Sequence, residues 1–220
     1  MHRDELKAGA ELVAHSMCDN PILVRVFGAD PDRRQRAITY CSLAGFPRLQ
    51  RRGSILGVFQ DNLLTGVCGV AMPGRCKGSM VQKLTMLPYL IRGCSTAMLI
   101  RARGWMNEWF SRDLHEPHFH LGPVAVDKNM QGQGMGSAML SAVCTWMDIL
   151  SATAYLETDK PINVRFYERF GFVTVKEDQV LGIPNWFMRR PAGKFPSEAM
   201  HRASTGLNQT AVENLGDENY

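Results

Sequence analysis

The residues with the most chemical content lie between Val124 and Ser137. The run Gln131-Gly132-Gln133-Gly134-Met135-Gly136-Ser137 follows the strand-like Val124-Ala125-Val126 and opens an amphipathic pattern on Met135, Met139, Val143, Trp146 and Leu150. A strand that turns through glycines into a helix directs several backbone N–H groups at one point, with no Cβ to keep a ligand away. That arrangement binds anions, most often phosphate. A nucleotide-triphosphate loop needs Gly-Lys-Ser or Gly-Lys-Thr, which is absent here. A dinucleotide fingerprint starting at Gly132 puts Ser137 where its last glycine should stand. Glu157 lies about twenty residues on, as a ribose-binding acid would, and keeps that reading as an alternative.

A second segment adds to the first. Asn163-Val-Arg-Phe-Tyr167-Glu168-Arg-Phe-Gly171-Phe172 places an amide, a phenol and a glycine four residues apart on a short helix followed by a strand. Asn163 and Tyr167 share a helix face. Gln131-x-x-Gly134-x-Gly136 followed by Asn163-x-x-x-Tyr167-Glu168-x-x-Gly171-Phe172 resembles the GCN5-related N-acetyltransferase (GNAT) superfamily, firmly over 118–190 and more loosely over 1–117. The resemblance implies an α/β fold with a mixed, mostly antiparallel sheet, helices on both faces and strands splayed at an acetyl-CoA site. It implies acetyl transfer from acetyl-CoA to a primary amine by direct attack. Cofactor-binding positions would be Val124, Ala125, Val126, Gln131, Gly132, Gln133, Gly134, Met135, Gly136, Ser137, Asn163 and Tyr167. In the family a further asparagine often stands near the preceding strand, where this chain has Asp159 and Lys160.

Direct attack makes three demands. An alkylammonium with pKa ~10 must lose its proton to a base. The thioester oxygen needs a donor as charge develops. The departing sulfur is best met by an acid. Tyr167 is the acid implied by the resemblance. For the base, Glu157 at a strand end ranks first and His120 second; His118 shares the His120 face by strand alternation, and Glu116 lies further out. For the donor, Val124-Ala125-Val126 offers backbone N–H groups, and the resemblance implies that a bulge frees one of them. Gly122-Pro123 favours such a bulge, because proline cannot donate to a ladder and glycine has no side chain to pack. No Cys/His spacing suggests a metal.

These residues need elements to hold them. Helical spacing predicts helices over 4–17, 32–44, 134–149 and 161–169, and a helical stretch over 78–113 broken at Pro88 and Gly93. Gly53–Gln60 and Leu64–Met72 flank Asp61-Asn62 and read as a hairpin. Further strands are expected at His118–Val126, Ala152–Glu157, Phe172–Lys176 and Asn185–Arg190. A single domain is expected over 1–192, with acceptor-side helices and hairpin in 1–117 and the cofactor-binding core in 118–190. Residues 193–220 are short of large apolar side chains and read as a disordered tail.

Composition narrows the function classes. Apolar residues at 45% can build a core, and the net charge of +4 is too small and scattered for a dedicated nucleic-acid face. No run reaches the roughly 18 apolar residues of a membrane span. The six cysteines show no C-x-x-C and read as reduced thiols of a cytoplasmic protein. The expected partners are an amine substrate, as a small molecule, a protein lysine or an α-amino group, and a second copy of the chain as a homodimer. A non-catalytic acyl-CoA-binding module is the main alternative.

Overall fold

The structure is a computed structural model and describes residues 1, 5–74 and 80–193. Three helices come first, α1 (Glu5–Met17), α2 (Pro21–Phe27) and α3 (Pro31–Gln50). The hairpin β1 (Gly53–Gln60) and β2 (Leu63–Ala71) follows, then α4 (Met80–Gly93) and α5 (Thr96–Phe110). The second half is β3 (Phe119–Val126), α6 (Met135–Ile149), β4 (Ala154–Thr158), α7 (Pro161–Glu168), β5 (Val173–Val180) and β6 (Ile183–Arg190). The strands form one sheet in the order β1-β2-β3-β4-β6-β5, antiparallel at every pairing except β3 with β4.

Local chemistry explains most boundaries. Asp61 and Asn62 both take positive φ, +51° and +62°, which is how a two-residue turn joins β1 to β2. Leu181-Gly182 does the same between β5 and β6, at +51° and +79°. Asp30 caps α3 by accepting from the N–H of Asp32 and Arg33, each at 3.1 Å. Arg34 is buried and fans its guanidinium onto the carbonyls of Cys18, Gly28 and Ala29, at the ends of α1 and α2. It thus satisfies acceptors that helix C-termini leave open.

The expected hairpin, the expected helices at 134–149 and 161–169 and the mixed sheet are all present. Four expectations need correction. Asn20-Pro21 ends α1 as foreseen but also starts α2, with Pro21 in the first helical turn. Helix α3 runs past 44 to Gln50 and carries Pro47 inside its last turn, where packing of Ala44 and Phe46 on the core holds it. Pro88 does not break α4, which runs to Gly93; Gly93 ends it where an added Cβ would meet the Tyr40 side chain at 2.3 Å. Strand β5 continues beyond Lys176 to Val180 because Glu177, Asp178 and Gln179 pair with β6. The expected tail lies, apart from Gly193, outside the described residues.

The sheet separates two cores. Helices α1, α2, α3 and α5 cover one face, with Val26, Phe27, Val67, Ala125, Tyr155 and Phe187 among the buried residues. Helices α6 and α7 cover the other, with Val70, Leu121, Leu140, Met147, Leu156 and Phe172. Arg190 ties the second layer together. Its Nε donates to the Phe170 carbonyl at 2.8 Å, and its terminal nitrogens reach both oxygens of Asp148 at 2.8 Å. One buried fork therefore fixes the end of α6 to β6 and to the turn after α7.

Candidate active site

Strands β3 and β4 are joined only at Phe119↔Ala154 and His120↔Tyr155. Beyond that point β3 stays with β2, while Leu156, Glu157 and Thr158 stay with β6. The sheet forks, and the gap is edged by the C-terminal half of β3.

The bulge expected at Gly122-Pro123 is present. Leu121 pairs with Val70 and Val124 with Cys68, so Gly122 and Pro123 together face the single residue Gly69. A Cβ on Gly69 would lie 2.4 Å from the Gly122 carbonyl oxygen, so the backbones meet where no other residue fits. The extra residue reverses the alternation of β3. Before it, Leu121 packs under α6; after it, Val124 and Val126 pack on that side and Ala125 on the opposite core. The Asp127 N–H donates to the Thr65 carbonyl at 2.8 Å. By the alternation of an antiparallel ladder, Ala125 then turns its N–H to β2, and Val124 and Val126 turn theirs to the gap. Of the three strand residues expected at the cofactor, Val124 and Val126 can face a ligand through the main chain.

Past Val126 the chain makes a short 3-10 turn, Lys128–Met130, and enters the glycine loop. Gln131 donates from its side-chain amide to the Val126 carbonyl at 3.0 Å, and Gln133 to the Asn129 carbonyl at 2.9 Å. Both side chains thus brace the loop. Gly132 and Gly134 take positive φ, +78° and +86°, and nothing lies within 4 Å of where a Cβ would stand. Gly134 caps α6, so the N–H groups of Met135, Gly136 and Ser137 open the helix without intrahelical partners. Free N–H groups, a helix N-terminus and open space beside two glycines suit a pyrophosphate.

On the α6–α7 face, Tyr167 is buried against Phe166 and Phe172. Burial first, then the proximity of Cys68 and Asp159, pushes its phenol well above the usual tyrosine range, so it stays protonated. Tyr167 shares its core with Cys68, which pairs with Val124 on the strand that edges the gap. Asn163 donates from its side-chain amide to Thr158 Oγ1 at 3.1 Å and locks α7 to the end of β4. Asp159 is committed elsewhere: its carboxylate accepts from the Ile22 N–H at 2.7 Å and caps α2. Burial raises its pKa in spite of that bond.

On the opposite face the two candidate bases are a single unit. His120 Nε2 lies 2.9 Å from Glu157 Oε2, and the Glu157 side chain is 2% exposed. A carboxylate only accepts, so Nε2 carries the hydrogen, and Nδ1 is the nitrogen that can take up a second one. His118 is held at both ring nitrogens, with Nδ1 2.9 Å from the Glu116 carbonyl and Nε2 3.0 Å from Asp113 Oδ1. Tyr155 stands edge-on to both imidazoles and donates to the Arg112 carbonyl at 3.2 Å. Burial by itself would raise the Asp113 carboxyl, but His118, His120 and the Leu114 N–H outweigh it and hold it below its ordinary value. The carboxylate of Glu116, by contrast, turns out to Arg189. Asp113 was not legible as a site residue, because it sits in an irregular loop before β3 and only the fold brings it to His118.

Residues 96–172 match the family model described as acetyltransferase (GNAT) family. That span runs from α5 through the glycine loop and the fork to the turn after α7. The whole architecture is similar to a Corynebacterium glutamicum structure described as histone acetyltransferase HPA2 and related acetyltransferase. The likeness has 18% identity, covers 90% of this chain and 96% of that one, and has a TM-score of 0.65. An N-acetyltransferase from Staphylococcus aureus Mu50 matches at 11% identity over 87% of this chain and 94% of that one, TM-score 0.53. The ribosomal-protein-S18-alanine N-acetyltransferase from Escherichia coli matches at 13% identity over 89% and 93%, TM-score 0.50. The forked sheet, the braced glycine loop and the matched span thus agree: this chain has the GNAT fold, and its residues 96–172 match the model of the acetyltransferase (GNAT) family.

Proposed function

We propose that the chain is an acetyl-CoA-dependent N-acetyltransferase that acylates a primary amine by direct attack. The observation that carries this reading is the position of the His120–Glu157 pair. His120 is the last residue of β3 joined to β4, and Glu157 stands two residues past its partner Tyr155. A proton acceptor therefore sits at the root of the same gap whose rim carries the N–H groups of Val124 and Val126 and whose far end is the glycine loop.

The division of labour follows from the chemistry of each group. The N–H groups of residues 132–137 and the N-terminus of α6 would hold the pyrophosphate, and the main chain of Val124 and Val126 would run beside the pantetheine arm. Acetyl-CoA, when bound, supplies an activated acyl group and a thiol leaving group. His120 Nδ1 takes the proton of the incoming ammonium, and Glu157 steadies the imidazolium through Nε2. A backbone N–H freed by the bulge faces charge developing on the acyl oxygen. Tyr167 offers its hydroxyl hydrogen to the departing sulfur from the opposite side of the sheet.

The deciding experiment is thiol release from acetyl-CoA, followed with a chromogenic disulfide, against a panel of small amines, a lysine-containing peptide and an α-amino peptide. Amine-dependent release that is lost in His120→Gln supports the reading. Tight CoA binding without release for any amine class would leave an acyl-CoA-binding module.

A further inference from the structure

We propose that Asp113, His118 and His120 form a binding site for a divalent transition-metal ion, best matched by Zn2+, and that the ion masks the base of the transfer reaction. Each of the three offers one ligand atom, and these atoms lie within 4.8 Å of one another. His118 Nε2 and Asp113 Oδ1 are 3.0 Å apart. Around a tetrahedral zinc with bonds of about 2.0–2.2 Å, neighbouring ligand atoms stand about 3.3 Å apart. That edge is close to this length, and the His120 ligand atom stands within 4.8 Å of both.

The shell behind these ligands points the same way. Histidines that bind metals usually donate their other ring N–H to a carbonyl or a carboxylate, which fixes the tautomer and aims the lone pair. Both histidines do so here. Nδ1 of His118 is 2.9 Å from the Glu116 carbonyl, and Nε2, which faces Asp113 Oδ1 at 3.0 Å, would give up its hydrogen to the ion. Nε2 of His120 is 2.9 Å from Glu157, so Nδ1 would be its ligand atom. Glu157 Oε1 is itself buried without a hydrogen-bond partner among the described residues. Two imidazoles and one carboxylate form a donor set suited to zinc rather than to Mg2+ or Ca2+, which take oxygen ligands.

The consequence for catalysis rests on the proposed function. The lone pair that would coordinate the ion is the one that accepts the ammonium proton. Metal and proton compete for it, so zinc inhibits by occupying the base and leaves the glycine loop open to CoA.

The test separates binding from activity. The full chain, freed of metal, is titrated with Co2+ and watched by visible absorption, then back-titrated with Zn2+. The expected result is one cobalt per chain, with ligand-field bands of a nitrogen and oxygen site and no thiolate charge-transfer band. Asp113→Asn and His118→Gln should each weaken binding at least about tenfold. Melting curves without metal show whether each variant is folded, and either folded variant decides the matter. Zinc should slow thiol release in the parent chain, and the ratio of rates with and without zinc should approach one in the variants. No stoichiometric cobalt binding, a thiolate spectrum alone, or undiminished binding in a folded variant overturns the site. Metal binding without any amine-dependent thiol release would instead retain the site and reject the acetyltransferase reading.

Discussion

His120 on β3 and Glu157 on β4 are 37 residues apart in the chain and 2.9 Å apart at Nε2 and Oε2. Two residues that compete as bases in the sequence are partners in the fold. The losses from removing each should therefore not add. We expect His120→Gln to lower kcat by ~10²–10⁴. Glu157→Gln should lower it less, and the double variant should resemble His120→Gln alone. Steady-state rates at saturating acetyl-CoA check this; additive losses in log kcat would mean that the two act separately.

Gly134 takes φ +86° at the N-terminus of α6, with open space where a side chain would go. Gly134→Val puts a branched side chain into that space and strains the backbone by ~1–3 kcal/mol. CoA affinity should fall by at least about tenfold. Calorimetric titration with CoA measures it directly. The rise in melting temperature that CoA confers on the parent chain should shrink in step.

Tyr167→Phe keeps the ring against Phe166 and Phe172 but removes the hydroxyl. We expect unchanged folding and CoA affinity, with kcat down by ~10²–10⁴ when chemistry limits turnover. Acyl donors whose leaving thiol is more acidic should narrow the deficit. An unaltered kcat with such a chemistry-limited assay would return Tyr167 to a packing role.

Arg190 is 1% exposed and holds Asp148 and the Phe170 carbonyl together. Arg190→Met leaves the Asp148 carboxylate without its partner at the end of α6. Breaking a buried pair on one side costs ~3–5 kcal/mol. Urea unfolding should show that loss. The double change Arg190→Met with Asp148→Leu should recover much of it, since an apolar pair leaves no charge unpaired.

The thiols give a pH-dependent expectation. Burial first of all pushes Cys68 and Cys144 up to about 12. Only the thiolate attacks an alkylating reagent, and at pH 8 about one thiol in 10⁴ is ionised under those conditions. Mass mapping after iodoacetamide at pH 8 should find both unmodified in the folded chain and modified in urea. Early labelling of either would show that the core around β2 and α6 opens.

What the sequence reveals follows from what short-range chemistry can specify. Gly122-Pro123 announced the bulge because those two residue types disrupt a ladder wherever they stand. The loop at 131–137 was legible because glycines at a strand-to-helix turn do one thing well. Asn163 and Tyr167 were legible from their spacing. The pairing of Asp113 with His118, and of His120 with Glu157, depends on how β3, β4 and the loop before β3 come together, and no local pattern encodes that. The same holds for α2: Asn20-Pro21 reads as a stop, and its role as a start comes from the buried Asp159 carboxylate that accepts from Ile22.

The joint between β3 and β4 is two residue pairs long, so the sheet amounts to two three-stranded halves meeting at one seam. The loop and α7 stand on one side of that seam, and His120, Glu157 and Tyr155 face the other. In the proposed reaction, two reactants that enter from opposite sides do not queue for one doorway. Neither has to leave before the other arrives, and no protein nucleophile need carry the acyl group between visits. Initial-rate plots against the two substrates should accordingly give intersecting rather than parallel lines.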